Sequence, residues 1–314
     1  MSEKPAIGLP SVGFIGLGAM GRPMAARAAA AGYTLHVLDK DTQRAGAIAA
    51  ELGARWGETP ATLAQSATLI VTMLPTSASV AETLDGPTGL LATIQPGAIL
   101  IDMTSGNPAD TKRLATLVAA RGATLIDAPV SGGVPRARTG DLSIMVGGDE
   151  AAIARAEPLL RTMGTTITRT GPVGTAHAMK ALNNLVSAGS FLIGIEALII
   201  GQRFGLDPAL MVDVINASTG MSNSSQKKFK QFVLSRSFDA GFGLDLMVKD
   251  LGIALTVARD TATPAPMSAL VRELWAAAQA MLGPNQDHTA MAKLSEALAG
   301  TELGVAPGTE PHGA

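Results

Sequence analysis

A glycine-rich turn near the start of the chain constrains the fold more than any other feature. It lies between the apolar run Val12–Ile15 and an alanine-rich helical segment. The spacing is GxGxxG, and the residues are Gly16, Leu17, Gly18, Ala19, Met20 and Gly21. The first glycine permits a tight turn, the second leaves room for a bound pyrophosphate, and the third lets helix and strand pack closely. Because the N–H groups that open a helix bind phosphate, this order of strand, turn and helix predicts a dinucleotide-binding α/β domain.

Asp39 bears on which dinucleotide would bind. It ends the second apolar run of the chain, where a carboxylate accepts hydrogen bonds from both ribose hydroxyls and repels a 2′-phosphate. The sequence therefore favours NAD. Lys40, the next residue, would attract a 2′-phosphate, so NADP is not excluded. The alternative is that Asp39 simply ends a strand beside a turn.

Apolar strands alternate with helical segments through the first half of the chain. Short apolar runs that predict buried strands span residues 12–15, 34–38, 69–74, 99–102 and 124–127. Segments with helical spacing lie between them, at residues 20–31, 42–52, 59–64, 77–84 and 108–121. Residues 140–147 predict a further strand near the sheet edge. This alternation predicts a doubly wound parallel sheet with helices on both faces.

The pattern changes after Gly171-Pro172, where long helical segments replace the alternation. They span residues 176–204, 208–217, 227–232, 244–260, 267–282 and 289–299. We therefore expect an N-terminal Rossmann domain over residues 1–172 that binds NAD, and an all-helical C-terminal domain over residues 173–300. The long helix from residue 176 would join the two domains, and the Gly- and Pro-rich residues 301–314 would form a flexible tail.

Composition excludes several classes of function. The net charge is −2 and only 3% of the residues are aromatic, which argues against nucleic-acid binding. The chain has no cysteine and its four histidines are widely spaced, so no metal site is expected. The first residues lack the pattern of a targeting signal, which predicts a cytoplasmic protein.

Residues 185–200 are apolar, but Glu196 interrupts them, so a buried helix is favoured over a membrane span.

Five further segments narrow the prediction. They are Met73-Leu74-Pro75-Thr76, residues 127–134 (DAPVSGGV), residues 137–148 (ARTGDLSIMVGG), residues 171–184 (GPVGTAHAMKALNN) and Lys249-Asp250-Leu251. In this order, with the glycine-rich turn, they strongly resemble the β-hydroxyacid dehydrogenase family, which includes 3-hydroxyisobutyrate dehydrogenases and tartronate semialdehyde reductases. The resemblance extends over residues 12–299. It implies a Rossmann domain followed by a helical domain, an active site in the cleft between them, and a homodimer or homotetramer.

The long helix carries the residues that the resemblance makes catalytic. Lys180 and Asn184 are one turn apart and share a helix face with Ser187. The resemblance implies that Lys180 is the general acid/base and that Asn184 orients the substrate. A lysine accepts a proton from an alcohol only when its amine is neutral, so burial or a nearby cation such as Lys249 must lower a pKa that is ordinarily about 10.4. His177 is a rival acid/base, and the alternative for Lys180 is a surface side chain at a helix start.

The resemblance also implies substrate and cofactor contacts. Two glycines beside a hydroxyl leave backbone N–H groups for a carboxylate, and the family places the substrate carboxylate at Ser131, Gly132 and Gly133. A plain interdomain turn is the alternative. Phe242 would line the cleft. The remaining cofactor contacts carried over are Leu74, Pro75, Ser105 and Lys249. Relatives often have threonine where this chain has Ser105 and Asp141, and neither difference removes a proposed catalytic group.

The resemblance implies an NAD-dependent oxidoreductase that interconverts a small β-hydroxy acid and its semialdehyde, of the 3-hydroxyisobutyrate type. A tartronate semialdehyde (2-hydroxy-3-oxopropanoate) reductase or a threonate-type dehydrogenase is the alternative, and a non-catalytic dinucleotide-binding protein is a remote one. The polar residues 216–225 are either a loop between helices or the lining of a distal pocket. Lys227, Lys228 and Lys230 after them predict a solvated helix face.

Overall fold

The computed structural model describes residues 9–304, and the chain divides into two compact units. The first ends at Lys180 and the second begins at Ala181. The division falls inside a long helix, α8 (Thr175–Phe204), a few residues beyond the change of pattern at Gly171-Pro172. The residues read for a targeting signal and most of the predicted tail lie outside the described residues.

The first unit is built on a nine-stranded sheet. Its strands are β1 (Val12–Ile15), β2 (Leu35–Leu38), β3 (Arg55–Trp56), β4 (Leu69–Thr72), β5 (Ile99–Asp102), β6 (Thr124–Asp127), β7 (Val130–Ser131), β8 (Leu142–Gly147) and β9 (Gly164–Gly171). Their order is β3-β2-β1-β4-β5-β6-β8-β7, and β9 pairs with β8. The first six strands are parallel, whereas β8 runs antiparallel to β6 and β7. The strand order reverses between β1 and β4, which is where open α/β sheets bind their ligands.

Helices cover both faces of this sheet. They are α1 (Gly21–Ala30), α2 (Thr42–Leu52), α3 (Pro60–Ser66), α4 (Ser77–Leu84), α5 (Pro108–Ala119), α6 (Gly133–Thr139) and α7 (Glu150–Met163). Successive strand residues point to opposite faces, so each strand feeds two apolar cores. Phe14 and Ile101 are buried in one core, and their neighbours Ile15 and Leu100 are buried in the other. The predicted fold class, a Rossmann-type α/β domain followed by helices, is confirmed.

The last strand of the sheet was not predicted. Strand β9 (Gly164–Gly171) has the sequence GTTITRTG and exposes most of its residues. An edge strand of this kind carries no apolar run, so neither alternation nor hydrophobicity indicates it in the sequence. It forms because β8 offers a parallel partner, with two register irregularities along the pair.

The second unit is helical. After α8 come α9 (Pro208–Asn216), α10 (Asn223–Lys227), a π-helical turn (Phe229–Leu234), α11 (Leu244–Asp260), α12 (Pro266–Leu282), a 3₁₀ turn (His288–Met291) and α13 (Ala292–Ala299). Helix α8 is long and apolar enough to cross a membrane by length and composition alone. Its residues Phe191, Ile195 and Leu198 are instead fully buried in the core of this unit, beside Trp275.

The sequence predicts one unbroken helix over residues 227–232, and this prediction is wrong. The chain breaks at Lys228, whose φ of −130° and ψ of −42° end α10, and the π-helical turn begins at the next residue. Phe229 explains the break, because its ring is buried against Phe191 with centroids 5.5 Å apart in an edge-to-face arrangement. A long-range aromatic contact therefore overrides the local helical pattern.

Candidate active site

The glycine-rich turn follows β1 and closes tightly on itself. A Cβ at Gly21 would lie 1.9 Å from the carbonyl oxygen of Gly16, and one at Gly16 would lie 2.3 Å from the carbonyl oxygen of Met73. Gly16 also has φ of +95°, a conformation that favours glycine. By contrast, a Cβ at Gly18 would meet nothing within 4 Å. The backbone at Gly18 is therefore open to a bound group, and the turn fits the pyrophosphate of a dinucleotide.

Asp39 is buried beside this turn and supports it. Its Oδ2 accepts a hydrogen bond of 2.7 Å from the Leu17 N–H, and its Oδ1 accepts one of 2.9 Å from the Asp41 N–H. The Arg44 guanidinium lies 3.6 Å from Oδ1. The Leu17 side chain is buried in the core, and its N–H is engaged by Asp39, so Leu17 shapes the turn from within.

A buried carboxylate joins the loops that follow β4 and β5. The Oδ1 of Asp102 accepts hydrogen bonds from the Thr72 hydroxyl at 2.9 Å and the Thr104 N–H at 3.1 Å. The Thr104 hydroxyl in turn accepts one of 3.1 Å from the Leu74 N–H. This network sets the two loops that hold three of the cofactor contacts implied by the resemblance, Leu74, Pro75 and Ser105.

The sequence Ser131-Gly132-Gly133 lies where β7 turns into the short helix α6. Ser131 pairs with Ser143 of β8 and is partly exposed. Gly132 and Gly133 have φ of +132° and +69°, which a residue with a side chain rarely adopts. The two glycines are therefore required by the backbone path, whatever they bind.

Lys180 lies on the second turn of α8 and is 92% buried, since only 8% of it is exposed. The first turn of the same helix is held by Asp127, at the end of β6. Its Oδ1 accepts from the Gly174 N–H at 2.7 Å and its Oδ2 from the His177 N–H at 2.8 Å. Burial raises the pKa of the Asp127 carboxyl, although these donors act in the opposite direction. Asp127 therefore fixes the start of the helix that carries Lys180.

His177 belongs to the same buried network. The Thr111 hydroxyl donates to the carbonyl oxygen of Asn107 at 2.9 Å, so its remaining contact, 2.7 Å from His177 Nδ1, is one in which the imidazole donates. Within residues 9–304, the buried His177 Nε2 has no hydrogen-bond partner. The ring thus ties α8 to α5, which is a structural use of the residue considered as a rival acid/base.

Asn184 and Asp250 form a buried polar contact in the second unit. The Asn184 Nδ2 donates to Asp250 Oδ2 at 2.6 Å, and both side chains are buried. Because an ionised carboxylate only accepts, this bond orients the amide and leaves Asn184 Oδ1 as an acceptor. Asn183 Nδ2 lies 3.3 Å from that oxygen. Lys249 Nζ lies 3.3 Å from Asp250 Oδ1 as an ion pair without hydrogen-bond geometry.

Phe242 is partly buried and is held by the segment that starts at Asp287. The Asp287 carboxylate accepts from the N–H groups of Gly241 and Phe242, and the His288 N–H donates to the Phe242 carbonyl at 2.8 Å. The rings of Phe242 and His288 meet edge to face, 5.7 Å apart. These contacts fix the Phe242 ring by way of its backbone.

The site residues read from the sequence divide between the two units. The first unit holds Gly16, Leu17, Gly18, Ala19, Met20, Gly21, Asp39, Leu74, Pro75, Ser105, Ser131, Gly132, Gly133 and Lys180, and the second holds Asn184, Phe242 and Lys249. No cluster of three or more potential ligands for a metal ion occurs among the described residues.

Sequence reasoning missed three residues that the structure makes prominent. Asp127 and Asp250 were noted only as parts of motifs, although each is a buried carboxylate that holds a site element. For Asp127 the available signal was an acidic residue in an otherwise apolar stretch, whereas Asp250 follows Lys249 and carries no such signal. Lys228 differs from the expected solvated face, because it is partly buried and its Nζ lies 3.4 Å from the Ser187 hydroxyl.

Both halves of the chain match models of known families. Residues 11–171 match the NAD binding domain of 6-phosphogluconate dehydrogenase, and residues 174–295 match the NAD-binding region of NADP-dependent 3-hydroxyisobutyrate dehydrogenase. The chain is 35% identical over 292 residues to the 2-(hydroxymethyl)glutarate dehydrogenase of Eubacterium barkeri, covering 93% of this chain and 97% of that protein. The chain belongs to the β-hydroxyacid dehydrogenase family. The predicted resemblance is thereby confirmed.

Two further similarities support membership of the β-hydroxyacid dehydrogenase family. The chain is 37% identical to the 2-hydroxy-3-oxopropionate reductase of Escherichia coli K12, over 93% of this chain and 99% of that one. The structure of Mycobacterium tuberculosis 3-hydroxyisobutyrate dehydrogenase with L-serine superposes with a TM-score of 0.84 and 29% identity, covering 92% and 99% of the two chains. This β-hydroxyacid dehydrogenase is therefore an oxidoreductase that acts on CH–OH groups of small hydroxy acids with a nicotinamide dinucleotide.

Proposed function

We propose that this β-hydroxyacid dehydrogenase interconverts a small β-hydroxy acid of the 3-hydroxyisobutyrate type and its semialdehyde, with Lys180 as general acid/base. The observation that carries the proposal is the burial of Lys180 on a helix turn that Asp127 anchors. Lysine side chains are rarely buried to this extent, because burial removes the hydration of their charge. The family motif around it supports the same role.

The proton chemistry follows from the lysine alone. In oxidation the neutral Lys180 amine accepts the hydroxyl proton of the substrate, and in reduction its ammonium donates a proton to the developing alkoxide. The nicotinamide, when bound, accepts or supplies the hydride. Burial disfavours the charged form of an amine, which helps a lysine to act as a base. Asn184 Oδ1, oriented by Asp250, would accept a hydrogen bond from the substrate hydroxyl.

We propose NAD as the preferred cofactor on the strength of Asp39. Its buried carboxylate sits at the end of β2 against the glycine-rich turn, where a 2′-phosphate would meet a negative charge. The nearby Arg44 is half exposed and already pairs with Asp39 and Asp41, which reduces its use as a phosphate ligand. Replacing Asp39 by Ala should weaken NAD binding more than NADP binding. Equal affinity of the variant and wild type for NAD would refute this role.

We also propose that the substrate carboxylate binds at Ser131, Gly132 and Gly133. The positive φ angles of the two glycines are unusual, and glycine leaves the backbone N–H groups uncovered. Ser131 is partly exposed, and its hydroxyl would add a donor. These backbone N–H groups and this hydroxyl can bind the carboxylate of a small acid without an arginine.

The decisive experiment is a comparison of wild type with Lys180→Ala on a panel of hydroxy acids and semialdehydes. General acid/base catalysis contributes about 10²- to 10⁴-fold, so kcat should fall by at least that range. Cofactor affinity, measured by fluorescence titration of the reduced dinucleotide, should be retained. Turnover of Lys180→Ala at the wild-type rate would remove the lysine from this role.

A second candidate reaction comes from the relatives. The proteins similar to this chain include a 2-hydroxy-3-oxopropionate reductase and a 2-(hydroxymethyl)glutarate dehydrogenase, so both substrates belong in the panel with 3-hydroxyisobutyrate and threonate. The substrate with the highest kcat/KM identifies the reaction.

We further propose a homodimer or homotetramer, because α8 exposes a row of large apolar side chains.

A further inference from the structure

We propose that the preferred substrate carries a second carboxylate, and that Lys228 binds it. This inference rests on the proposed function, in which Asn184 holds the hydroxyl-bearing end of a β-hydroxy acid. The inference adds the chemical class of the group at the end of the substrate away from this hydroxyl. Lys228, Ser187 and Asn184 all belong to the second unit.

Lys228 differs from the lysines on either side of it. Lys227 is exposed, and Lys230 forms an ion pair of 2.6 Å with Asp213 on the surface. Lys228 is partly buried and directs its ammonium to α8, where Nζ lies 3.4 Å from the Ser187 hydroxyl. Of these three cations, it is the one that turns towards the helix carrying the proposed substrate contacts.

The position of Lys228 is fixed by its neighbour Phe229. The Phe229 ring is fully buried against Phe191, and it fits only because residue 194 is glycine. A Cβ at Gly194 would lie 2.5 Å from the ring atom Cζ. The ring and the break in the helix at Lys228 thus hold the lysine over the preceding turn of α8, where Ser187 lies.

The spacing along α8 sets the length of the substrate. Ser187 follows Asn184 by three residues, which is about 4.5 Å along the helix axis. A group paired with Lys228 would therefore lie roughly one turn from the Asn184 amide. A short methylene chain between the hydroxyl-bearing carbon and the distal acid spans that distance, whereas the methyl group of 3-hydroxyisobutyrate does not reach it.

The donors present suit a carboxylate better than a phosphate. The Lys228 ammonium and the Ser187 hydroxyl can each donate a hydrogen bond to one oxygen of a carboxylate. Phosphate carries close to two negative charges and is usually held by an arginine fork or several backbone N–H groups. A hydroxy diacid is therefore the class that the subsite selects.

The test compares four substrates with NAD: 3-hydroxyisobutyrate, 2-(hydroxymethyl)succinate, 2-(hydroxymethyl)glutarate, and the distal amide of the last compound. The amide keeps the shape and removes the charge. Wild type should show a kcat/KM for a diacid at least tenfold above that for the amide. Lys228→Gln should abolish this preference by raising KM for the diacid, and should lower kcat/KM for 3-hydroxyisobutyrate far less than kcat/KM for the diacid.

Two controls keep the result specific. Lys228→Arg retains the charge and should retain most of the preference, and Lys227→Gln removes an exposed charge next to it and should change nothing. Equal use of diacid and amide by wild type, or an equal loss on all substrates in Lys228→Gln, overturns the inference. If 3-hydroxyisobutyrate is turned over without any diacid preference, only this inference fails. If no hydroxy acid is turned over, the proposed function fails as well.

Discussion

At the scale of single residues, hydrogen bonds over long sequence separations orient the polar groups of the candidate site. Asn184 illustrates this. Its side-chain amide has a donor, Nδ2, and an acceptor, Oδ1, and the backbone of α8 does not determine which of the two faces the site. Asp250, 66 residues away in the sequence, fixes the orientation of the amide because its Oδ2 accepts a hydrogen bond of 2.6 Å from Nδ2. Asp250 itself is 1% exposed, and its carboxyl lies between this donor and the Lys249 ammonium, which is 3.3 Å from Oδ1.

Replacing Asp250 by Asn should impair catalysis without displacing the cofactor. The new amide no longer requires Nδ2 of Asn184 to face it, so the acceptor presented to the substrate is lost in part of the molecules. A hydrogen bond to a charged group contributes about 1.5–3 kcal/mol, which corresponds to a kcat/KM lower by about 10- to 100-fold. Asp245→Asn, an exposed carboxylate on the same helix, is the control and should be neutral. Unchanged kcat/KM in Asp250→Asn would contradict the orienting role.

Asp287 makes a pH-dependent contribution to stability. Burial opposes its ionisation, but hydrogen bonds from His288 and Thr289 prevail and hold the pKa of the Asp287 carboxyl far below its usual range. A carboxyl with a depressed pKa in the folded state stabilises the protein above its unfolded value, about 4, and loses that contribution as the pH falls.

Asp287→Asn should therefore lower the free energy of unfolding at pH 7 by about 1–3 kcal/mol. The difference from wild type should shrink as the pH is reduced below about 4. Urea unfolding at pH 7, 5, 4 and 3 measures it. A difference that grows towards acid would mean that the carboxyl is not stabilised as the anion.

At the scale of elements, the sequence patterns predicted most strands and helices of the first unit to within a few residues. Strands β1, β5 and β6 coincide with their apolar runs, and so do helices α2 and α4 with their helical segments. Apolar periodicity is a local property, so it locates elements that bury one face. It missed the two-residue strands β3 and β7, the exposed strand β9 and the helices α6 and α7. It also failed at Lys228, where packing of Phe229 interrupts a helical pattern.

Two glycines of α8 should respond in opposite ways to the same substitution. A Cβ at Gly194 would lie 2.5 Å from the buried ring of Phe229, whereas one at Gly189 would meet only Val271 Cγ2 at 3.9 Å. Gly194→Ala should therefore destabilise the protein by about 1–3 kcal/mol through overpacking. Gly189→Ala should stabilise it by about 0.5–1 kcal/mol through helix propensity. Thermal or urea unfolding of both variants tests this, and shifts of equal sign would show that the ring relaxes away.

At the scale of the whole molecule, α8 has an apolar face that the second unit leaves exposed. Val186, Ile193 and Ile200 are 72%, 64% and 69% exposed, and they recur every seven residues, so they lie along one side of the helix. Phe204, at the end of the helix, is 86% exposed. A contiguous row of large apolar side chains is typical of a surface that another chain covers.

We therefore expect the protein to form dimers or tetramers of its 31.9 kDa chain. Ile193→Glu places a charge in the row and should shift the mass measured by light scattering towards the monomer. Glu82→Gln, at an exposed residue of α4 in the first unit, is the control. A wild type that is monomeric at micromolar concentration would exclude this surface as an interface between copies.

The sequence by itself determined the fold class, the glycine-rich turn, the carboxylate at the end of β2 and the family motifs. Each of these is either a local pattern or a set of residues close together in the chain, so backbone conformation and periodicity suffice to predict it. Only the tertiary structure decided which groups meet. Asp127 reaches Gly174 over 47 residues, Lys228 reaches Ser187 over 41, and Asp250 reaches Asn184 over 66. Periodicity tells which face of an element is buried, but the partner on the other side is chosen by how distant elements pack.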